Sequence, residues 1–402
     1  MDRTQAPAFK QVEHISLLNA QQYPLDNGIP LFFIDAGEQD LVRIEFIFDN
    51  VAWNAASPLQ AFATNALLQE GTSNYTAAQL AEKFDYYGAF LQKDYSYDQS
   101  SVVLYTLNKH LSSVLPLLRE ILTDAIFPQS EIDTFIRNQQ QKLSVSLEKN
   151  DVLARRSFNQ VLFGNTLYGH APVVEEYAQL QRSQLLEYYK KAYQPANCTL
   201  VVSGKVSETT LKSMNATFGN NWEGSTAVDK NEFSFITGTG KTHFLERPDA
   251  LQSALRLGQI AINRTHPDFP ALQVLNTIFG GYFGSRLMAN IREDKGYTYG
   301  IGSGIASLKD AGYFFIASEV GADVCTAAIA EIEKEMKLLR TVLVSEGELA
   351  LVRNYMLGSL LGSLENAFSH ADKFKNTYFF GLNASYYERY VQTVRTISPQ
   401  KL

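Results

Sequence analysis

The sequence has no excess of basic residues: 35 Lys and Arg stand against 42 Asp and Glu, which gives a net charge of −7. Proteins that bind nucleic acid or anionic membranes carry clustered positive charge that neutralises phosphates. Neither class of partner is therefore predicted. Cysteine is also scarce, since Cys198 and Cys325 lie far apart and have no metal-binding or redox spacing. Both are predicted to be buried, reduced thiols.

Long apolar segments are missing as well. No run reaches the roughly 18 apolar residues that a membrane-spanning helix needs, so no such helix is predicted. The first residues, MDRTQAPAFKQVEHISLLNAQQ, contain no apolar core of a signal peptide. The expected location is cytoplasmic, or periplasmic if the sequence begins after a removed signal peptide.

Common catalytic and metal-binding motifs are absent. No HExxH and no inverted HxxEH occurs, because no two histidines lie within five residues of each other. The histidines are His14, His110, His170, His243, His266 and His370. No GxSxG elbow is present, although spacing alone does not decide about a Ser-His-Asp triad. The segment TGTGKT, residues 237–242, has Phe235 where a phosphate-binding loop needs its first glycine, and is predicted to be a turn.

The order of predicted elements repeats along the chain. LVRIEFIFDN (41–50) and LRLGQIAIN (255–263) each have the pattern of a strand, and helices, a further strand and a long helix follow both. The later helices share an Arg-Asn pair, at residues 137–138 and 353–354. This repetition predicts an α+β fold of two duplicated domains, each a mostly antiparallel or mixed sheet covered by helices.

The predicted domains span residues 1–218 and 241–402. The polar segment between them, residues 219–240, has the composition of a linker. In the first domain, a helix is predicted to begin near Ser57 with Pro58 at its first position, and the next helix is predicted to have Thr76 as its N-cap.

The segment ALLQEGTSNYTAAQLAEKFDYYGA, residues 66–89, resembles the first catalytic region of the pitrilysin/insulinase (inverzincin) peptidases, whose members include the mitochondrial processing peptidases. In active members, an inverted HxxEH precedes the Gly-Thr pair of this region. The resemblance places Phe62 and Ala66 at the two histidines and Asn65 at the glutamate. It implies that the zinc motif is lost, and that Glu148 cannot replace the family's downstream zinc-binding glutamate by itself.

The resemblance continues through most of the chain. Tyr193, Pro195 and Asn197 are similar to the family's Tyr-x-Pro-x-Asn signature. GGYFGSRLMANIREDKGYTYGIGSG, residues 280–304, is similar to the half of these enzymes in which an arginine and a tyrosine bind substrate, and it places those roles on Arg292 and Tyr299. A guanidinium and a phenol are donors that can orient a peptide backbone or stabilise a developing oxyanion.

The resemblance implies a non-catalytic, substrate-binding subunit of a heteromeric zinc metallopeptidase. A partner chain with HxxEH would hold the zinc, and this chain would bind no metal or cofactor itself and would supply Arg292 and Tyr299. Whether the chain is an enzyme at all stays open, because its own zinc ligands are missing. Two alternatives remain: a structural or scaffolding family member, and a peptide-binding module in which GAFLQKDYS, residues 88–96, is an edge strand that pairs with a peptide.

Overall fold

The computed structural model describes residues 12, 15–220, 222, 224, 230–231, 233–235, 237–238 and 240–402. The chain divides into two compact units. The first unit comprises Asn19–Pro248 and Asn366–Asp372; the second comprises Asp249–Glu365 and Lys373–Leu402 with the described residues up to Leu18. His14 and part of the predicted linker lie outside the described residues.

The first unit is built on a mixed six-stranded sheet. Its strands are β1 (Gln21–Gln22), β2 (Leu31–Asp35), β3 (Leu41–Asp49), β4 (Phe90–Tyr95), β5 (Gln99–Leu107) and β6 (Cys198–Gly204). They lie in the order β1-β2-β6-β3-β5-β4, with β2 and β6 parallel and the other neighbours antiparallel. Among the described residues, β4 is thus an edge strand, which is the condition that the peptide-binding alternative sets for residues 88–96.

Helices cover this sheet. They are α1 (Gln60–Leu67), α2 (Ala77–Tyr86), α3 (Leu111–Thr123), α4 (Gln129–Leu147), α5 (Asn150–Phe163), α6 (Val174–Ala178), α7 (Arg182–Ala192) and α8 (Glu208–Met214). The predicted cap of α2 is confirmed: the Thr76 side chain accepts a hydrogen bond from the backbone N–H of Gln79, whose own side chain accepts one from the N–H of Thr76.

The core of the first unit lies between one sheet face and the helices. Alternate residues of β3 point into it, because successive side chains of a strand face opposite sides. These residues are Val42, Ile44, Phe46 and Phe48, and α3 adds Leu111, Val114, Leu115, Leu118, Ile121 and Leu122 at helical spacing. On the opposite face, the buried Arg43 forms an ion pair of 2.9 Å with Asp372 and lies 5.4 Å from the ring centroid of Phe368.

The second unit carries a three-stranded antiparallel sheet. Its strands are β7 (Gln252–Ala261), β8 (Thr298–Ser307) and β9 (Gly312–Gly321), in the order β7-β9-β8. Its helices are α9 (Phe269–Asn276), α10 (Cys325–Thr341), α11 (Glu346–Gly362), α12 (Ala367–Tyr378), whose first residues are counted with the first unit, and α13 (Ser385–Thr396). Two wider, π-helical segments occur at Thr277–Gly281 and Met288–Asp294.

The strand order shows the duplication. β3, β4 and β5 lie in the order β3-β5-β4, and β7, β8 and β9 repeat that order. In both units, helices follow the first of these strands, and two consecutive long helices follow the last. The predicted α+β fold with duplicated sheet-and-helix domains is therefore confirmed, and the first sheet differs from the second by the additional strands β1, β2 and β6.

Some local predictions are wrong. The helix α1 begins at Gln60, not near Ser57, because the Asn54 side chain already accepts the N–H groups of Ala56 and Ser57 in a turn. The predicted linker contributes Trp222 to the hydrophobic core of the first unit. Cys198 is buried, whereas Cys325 is only half-buried at the start of α10.

Among the described residues, no helix combines the length and the apolar character that crossing a membrane requires.

Candidate functional site

The position of the lost zinc motif lies on α1, where it meets β4 and α4. The ring of Phe62 packs at 5.4 Å from the ring of Tyr95 on β4 and at 5.8 Å from the ring of Phe135 on α4. Such tilted aromatic contacts contribute about 0.5–1.5 kcal/mol each beyond the burial of area. The side chain at the first histidine position is therefore part of an apolar cluster.

The side chain at the glutamate position is fully engaged. Asn65 is 1% exposed, and its Nδ2 donates to the backbone carbonyl of Asp94 at 2.8 Å. Its Oδ1 accepts a 3.0 Å hydrogen bond from the hydroxyl of Tyr193, on the family's Tyr-x-Pro-x-Asn signature. Both ends of the amide are satisfied by protein, so Asn65 serves to join α1 to β4 and to the segment that follows α7.

A lysine occupies the vicinity of the second histidine position. Ala66 offers only a methyl group, but its backbone carbonyl accepts a 2.8 Å hydrogen bond from Nζ of Lys93 on β4. The same ammonium lies 3.5 Å from a carboxylate oxygen of Glu70. Burial lowers the pKa of Lys93, and Glu70 opposes that shift. The ammonium thus satisfies a carbonyl at the end of α1, where helices lack internal donors.

These residues do not fit a zinc ion. Zinc in proteins takes imidazole, thiolate or carboxylate ligands, whereas a phenyl ring, an engaged amide and a methyl group stand here. Glu148 follows the last residue of α4, about 20 Å along the helix axis from Phe135, and it pairs with Arg247 at 3.3 Å. The part of the chain that the structure describes holds no group of three or more His, Cys, Asp or Glu side chains that could bind a metal.

We expect the purified chain to hold no stoichiometric zinc, because no donor set replaces HxxEH on α1. Elemental analysis by mass spectrometry after dialysis against metal-free buffer measures this. One tightly bound zinc per chain would contradict the expectation.

We expect Tyr193→Phe to lower the free energy of unfolding by about 1–3 kcal/mol near neutral pH, since the buried Oδ1 of Asn65 loses its donor. Burial raises the pKa of Tyr193 well above its usual value. A group with a raised pKa in the folded state stabilises fully below its unfolded pKa, about 10 for tyrosine, and this contribution is lost as the pH rises further.

The pH dependence gives this substitution a second readout. Urea unfolding of the wild type should show a loss of stability above about pH 10, and the loss should be smaller in the phenylalanine variant. Equal alkaline losses in both proteins would contradict the assignment of that loss to Tyr193.

Arg292 and Tyr299 are brought together in the second unit. Arg292 lies on the π-helical segment Met288–Asp294, and Tyr299 lies near the start of β8. The guanidinium carbon is 5.2 Å from the ring centroid of Tyr299. The chain turns between them at Gly296, whose φ of +64° favours glycine. Single π-helical turns occur frequently at functional sites, and this one carries the predicted arginine.

An irregularity in β8 exposes the tyrosine. The pairing of β8 with β9 shifts register between Thr298 and Ile301, and Tyr299 in that interval is 89% exposed. The hydroxyl of Thr298 fixes the interval, because it accepts a 3.1 Å hydrogen bond from the N–H of Gly300 and lies 2.6 Å from the carbonyl oxygen of Glu319. A bulge of this kind re-aims side chains, which explains an exposed ring on a sheet strand.

One residue of this site was missed by sequence reasoning. The ring centroid of Phe283 lies 4.8 Å from the guanidinium carbon of Arg292, and Phe283 is 64% exposed. The feature of the sequence that could have indicated Phe283 is the glycine-rich loop FGGYFGSR, residues 279–286. A side chain at Gly280 would meet Ser303 of β8 at 2.5 Å, so this glycine allows the loop to pack closely on the strand.

The comparisons with known proteins agree with this picture. Residues 179–356 match the family model described as the peptidase M16 inactive domain. YmxG of Bacillus subtilis, an uncharacterized zinc protease, is 27% identical over 307 residues, which cover 74% of this chain and 72% of that protein. A non-peptidase homolog, YmxG of Helicobacter pylori, is 23% identical over 84% of this chain and 78% of its own length.

A solved structure shares the fold of the whole chain. The peptidase M16 inactive domain from Pseudomonas fluorescens superposes with a TM-score of 0.86 at 22% identity, covering 96% of this chain and 93% of that one. The family model, the relatives and the absence of the motif on α1 lead to one conclusion. Residues 179–356 are a peptidase M16 inactive domain, and the chain as a whole is similar to the M16 peptidases, the pitrilysin/insulinase family, without their HxxEH zinc motif on α1.

Proposed function

We propose that this chain is the substrate-binding, non-catalytic subunit of a heteromeric M16 zinc peptidase, with Arg292 and Tyr299 acting on peptides held at the zinc site of a partner chain. The observation that carries the proposal is the contrast between the two predicted sites. The positions of the zinc motif are filled by packing and internal hydrogen bonds, whereas Arg292 and Tyr299 remain in contact with each other and Tyr299 is open to solvent.

The chemistry of the pair supports a role in peptide hydrolysis. Negative charge develops on the carbonyl oxygen when water attacks a peptide, and preorganised donors stabilise that charge. A guanidinium and a phenol both donate hydrogen bonds. M16 family members commonly act in pairs, which agrees with a division of zinc and donors between two chains.

Reconstitution tests the proposal. M16 chains that carry HxxEH and that come from the same organism are purified separately, mixed with this chain, and assayed on a mixture of fluorogenic peptides. We expect one mixture to cleave peptides at a rate well above that of either chain alone, and the two chains to co-elute in size-exclusion chromatography. Co-elution without any gain in cleavage would favour the scaffold alternative. If the chains neither co-elute nor cleave peptides together, the proposal is contradicted.

A second candidate function is peptide binding without hydrolysis at the edge strand β4. The observation in its favour is that β4 pairs with β5 alone in the part of the chain that the structure describes, and its Phe90 is 60% exposed. An edge strand presents free N–H and C=O groups that a peptide can pair with. The N–H of Leu91 faces away from β5 and toward the free edge. Peptide binding by the isolated chain that Leu91→Pro abolishes and Arg292→Ala leaves unchanged would support this candidate over the first.

A further inference from the structure

Arg292 is held in an arrangement that restricts what it can bind. Its guanidinium carbon lies over two ring faces, at 4.8 Å from the centroid of Phe283 and 5.2 Å from that of Tyr299. Both rings are mostly exposed. Cations over aromatic faces are attracted by the ring quadrupole, and this attraction holds the guanidinium beside the two rings.

The donors of Arg292 are open. Among the described residues, no carboxylate and no carbonyl is hydrogen-bonded or ion-paired to this guanidinium, and its contacts are the two rings. A neighbouring arginine shows the contrast, because Nε and Nη2 of Arg286 donate to the two carboxylate oxygens of Glu348 at 2.7 Å each. Arg292 thus keeps its N–H edge for a ligand from outside.

The shape of that edge selects the chemistry of the ligand. A guanidinium donates hydrogen bonds in its own plane, where its N–H groups form a fork. That fork matches the two oxygens of a carboxylate, and such paired, charge-assisted bonds are stronger than bonds to a neutral carbonyl. The two exposed rings beside it suit the apolar parts of an extended peptide.

We infer that Phe283, Arg292 and Tyr299 form a carboxylate clamp, and that the peptides bound by this chain carry a carboxylate at this point. The inference rests on the proposed peptide-binding function and adds two things to it: the class of peptide, and Phe283 as the residue that positions Arg292. The carboxylate belongs to an acidic side chain or to a free C-terminus, and the experiment separates these sources.

The experiment measures binding to the full chain by fluorescence anisotropy. Three labelled peptides share one backbone of alanine, leucine and serine: one has a glutamine and a C-terminal amide, one has the glutamine and a free C-terminus, and one has a glutamate and the amide. We expect one of the two carboxylate peptides, or both, to bind about tenfold or more tightly than the neutral peptide, as expected for a charge-assisted bidentate pair. Whichever carboxylate peptide gains affinity identifies the source.

Variants test the roles of the individual residues. Arg292→Met should abolish the preference for carboxylate, and Arg292→Lys should retain only part of it, because an ammonium lacks the fork. Phe283→Ala should reduce the preference about threefold or more, and Phe283→Tyr should restore it, since a ring is kept over the cation. The matched control is Phe244→Ala, which removes a phenylalanine of the first unit that is 85% exposed, and it should leave the preference unchanged.

The outcomes separate this inference from the proposed function. Equal affinity of all three peptides, or no binding of any, would overturn the clamp. If the clamp is overturned in this way but cleavage by the reconstituted complex still depends on Arg292, the proposed function stands without the clamp. If the Phe283→Ala variant keeps the full preference for carboxylate peptides, Phe283 is not part of the clamp.

Discussion

Arg292→Ala is expected to lower turnover of the reconstituted peptidase by about a hundredfold or more while leaving assembly intact. A donor aimed at a developing oxyanion contributes about 2.7–4 kcal/mol to transition-state binding, and the substitution removes that donor. Assembly and folding should be unaffected, because Arg292 contacts two exposed rings and no core residue by hydrogen bond or ion pair in the described part of the chain.

The kinetic parameters identify which role the arginine has. A fall in kcat with an unchanged KM indicates stabilisation of the transition state, whereas a rise in KM with an unchanged kcat indicates that Arg292 orients the bound peptide. Tyr299→Phe should show the same type of effect, since it removes the second donor and keeps the ring. Arg340→Ala, which replaces an exposed arginine of α10, is the control and should behave as wild type.

One result would contradict the role of the pair. If Arg292→Ala and Tyr299→Phe both assemble with the partner, and the complexes cleave peptides at the wild-type rate, then neither residue takes part in the reaction. The scaffold alternative predicts that result.

Trp222→Ala is expected to lower the free energy of unfolding of the chain by about 3–5 kcal/mol, the usual cost of replacing a buried aromatic residue by alanine. Trp222 is 5% exposed and lies in the segment whose composition predicts a linker. Its ring centroid is 6.2 Å from that of Phe46, 6.4 Å from that of Phe48 and 6.1 Å from that of Phe218. Truncation would leave a cavity among rings that line the central strand β3.

Urea unfolding followed by circular dichroism measures this effect. Asn220→Ala, two residues earlier and exposed, is the matched control and should change stability by no more than about 0.5 kcal/mol. If Trp222→Ala were as mild as the control, the segment would behave as the linker that its composition suggests.

The loss of the zinc motif could be predicted from the sequence, because it depends only on which residue types occupy the motif positions. Phe62 and Ala66 cannot bind zinc in any conformation, and no rearrangement of the fold supplies an imidazole at those positions. The aligned Gly-Thr pair was enough to find them. What fills the space could not be predicted, because Tyr95, Phe135 and Lys93 come from a strand and a helix distant in sequence.

Only part of the Arg292 site could be predicted, because only part of it lies in a local motif. Arg292 and Tyr299 were found through a local motif, and the glycine that separates them marks the turn. Phe283 is only nine residues before Arg292, yet its contact with the guanidinium depends on how the loop packs on β8, which no periodic pattern encodes.

By itself, the sequence determined the class of the fold, the repetition of its elements and the absence of an HxxEH motif. Hydrophobic periodicity and helix caps depend on residues a few positions apart, so a feature such as the Thr76 cap can be predicted from the sequence. The tertiary structure alone decided that β4 lies at the edge of the sheet formed by the described residues, that Trp222 belongs to the core, and that Arg43 of β3 forms an ion pair with Asp372. These contacts join residues that are far apart in sequence. Local propensity does not distinguish them from many other possible pairings, and the burial of side chains in the folded protein does.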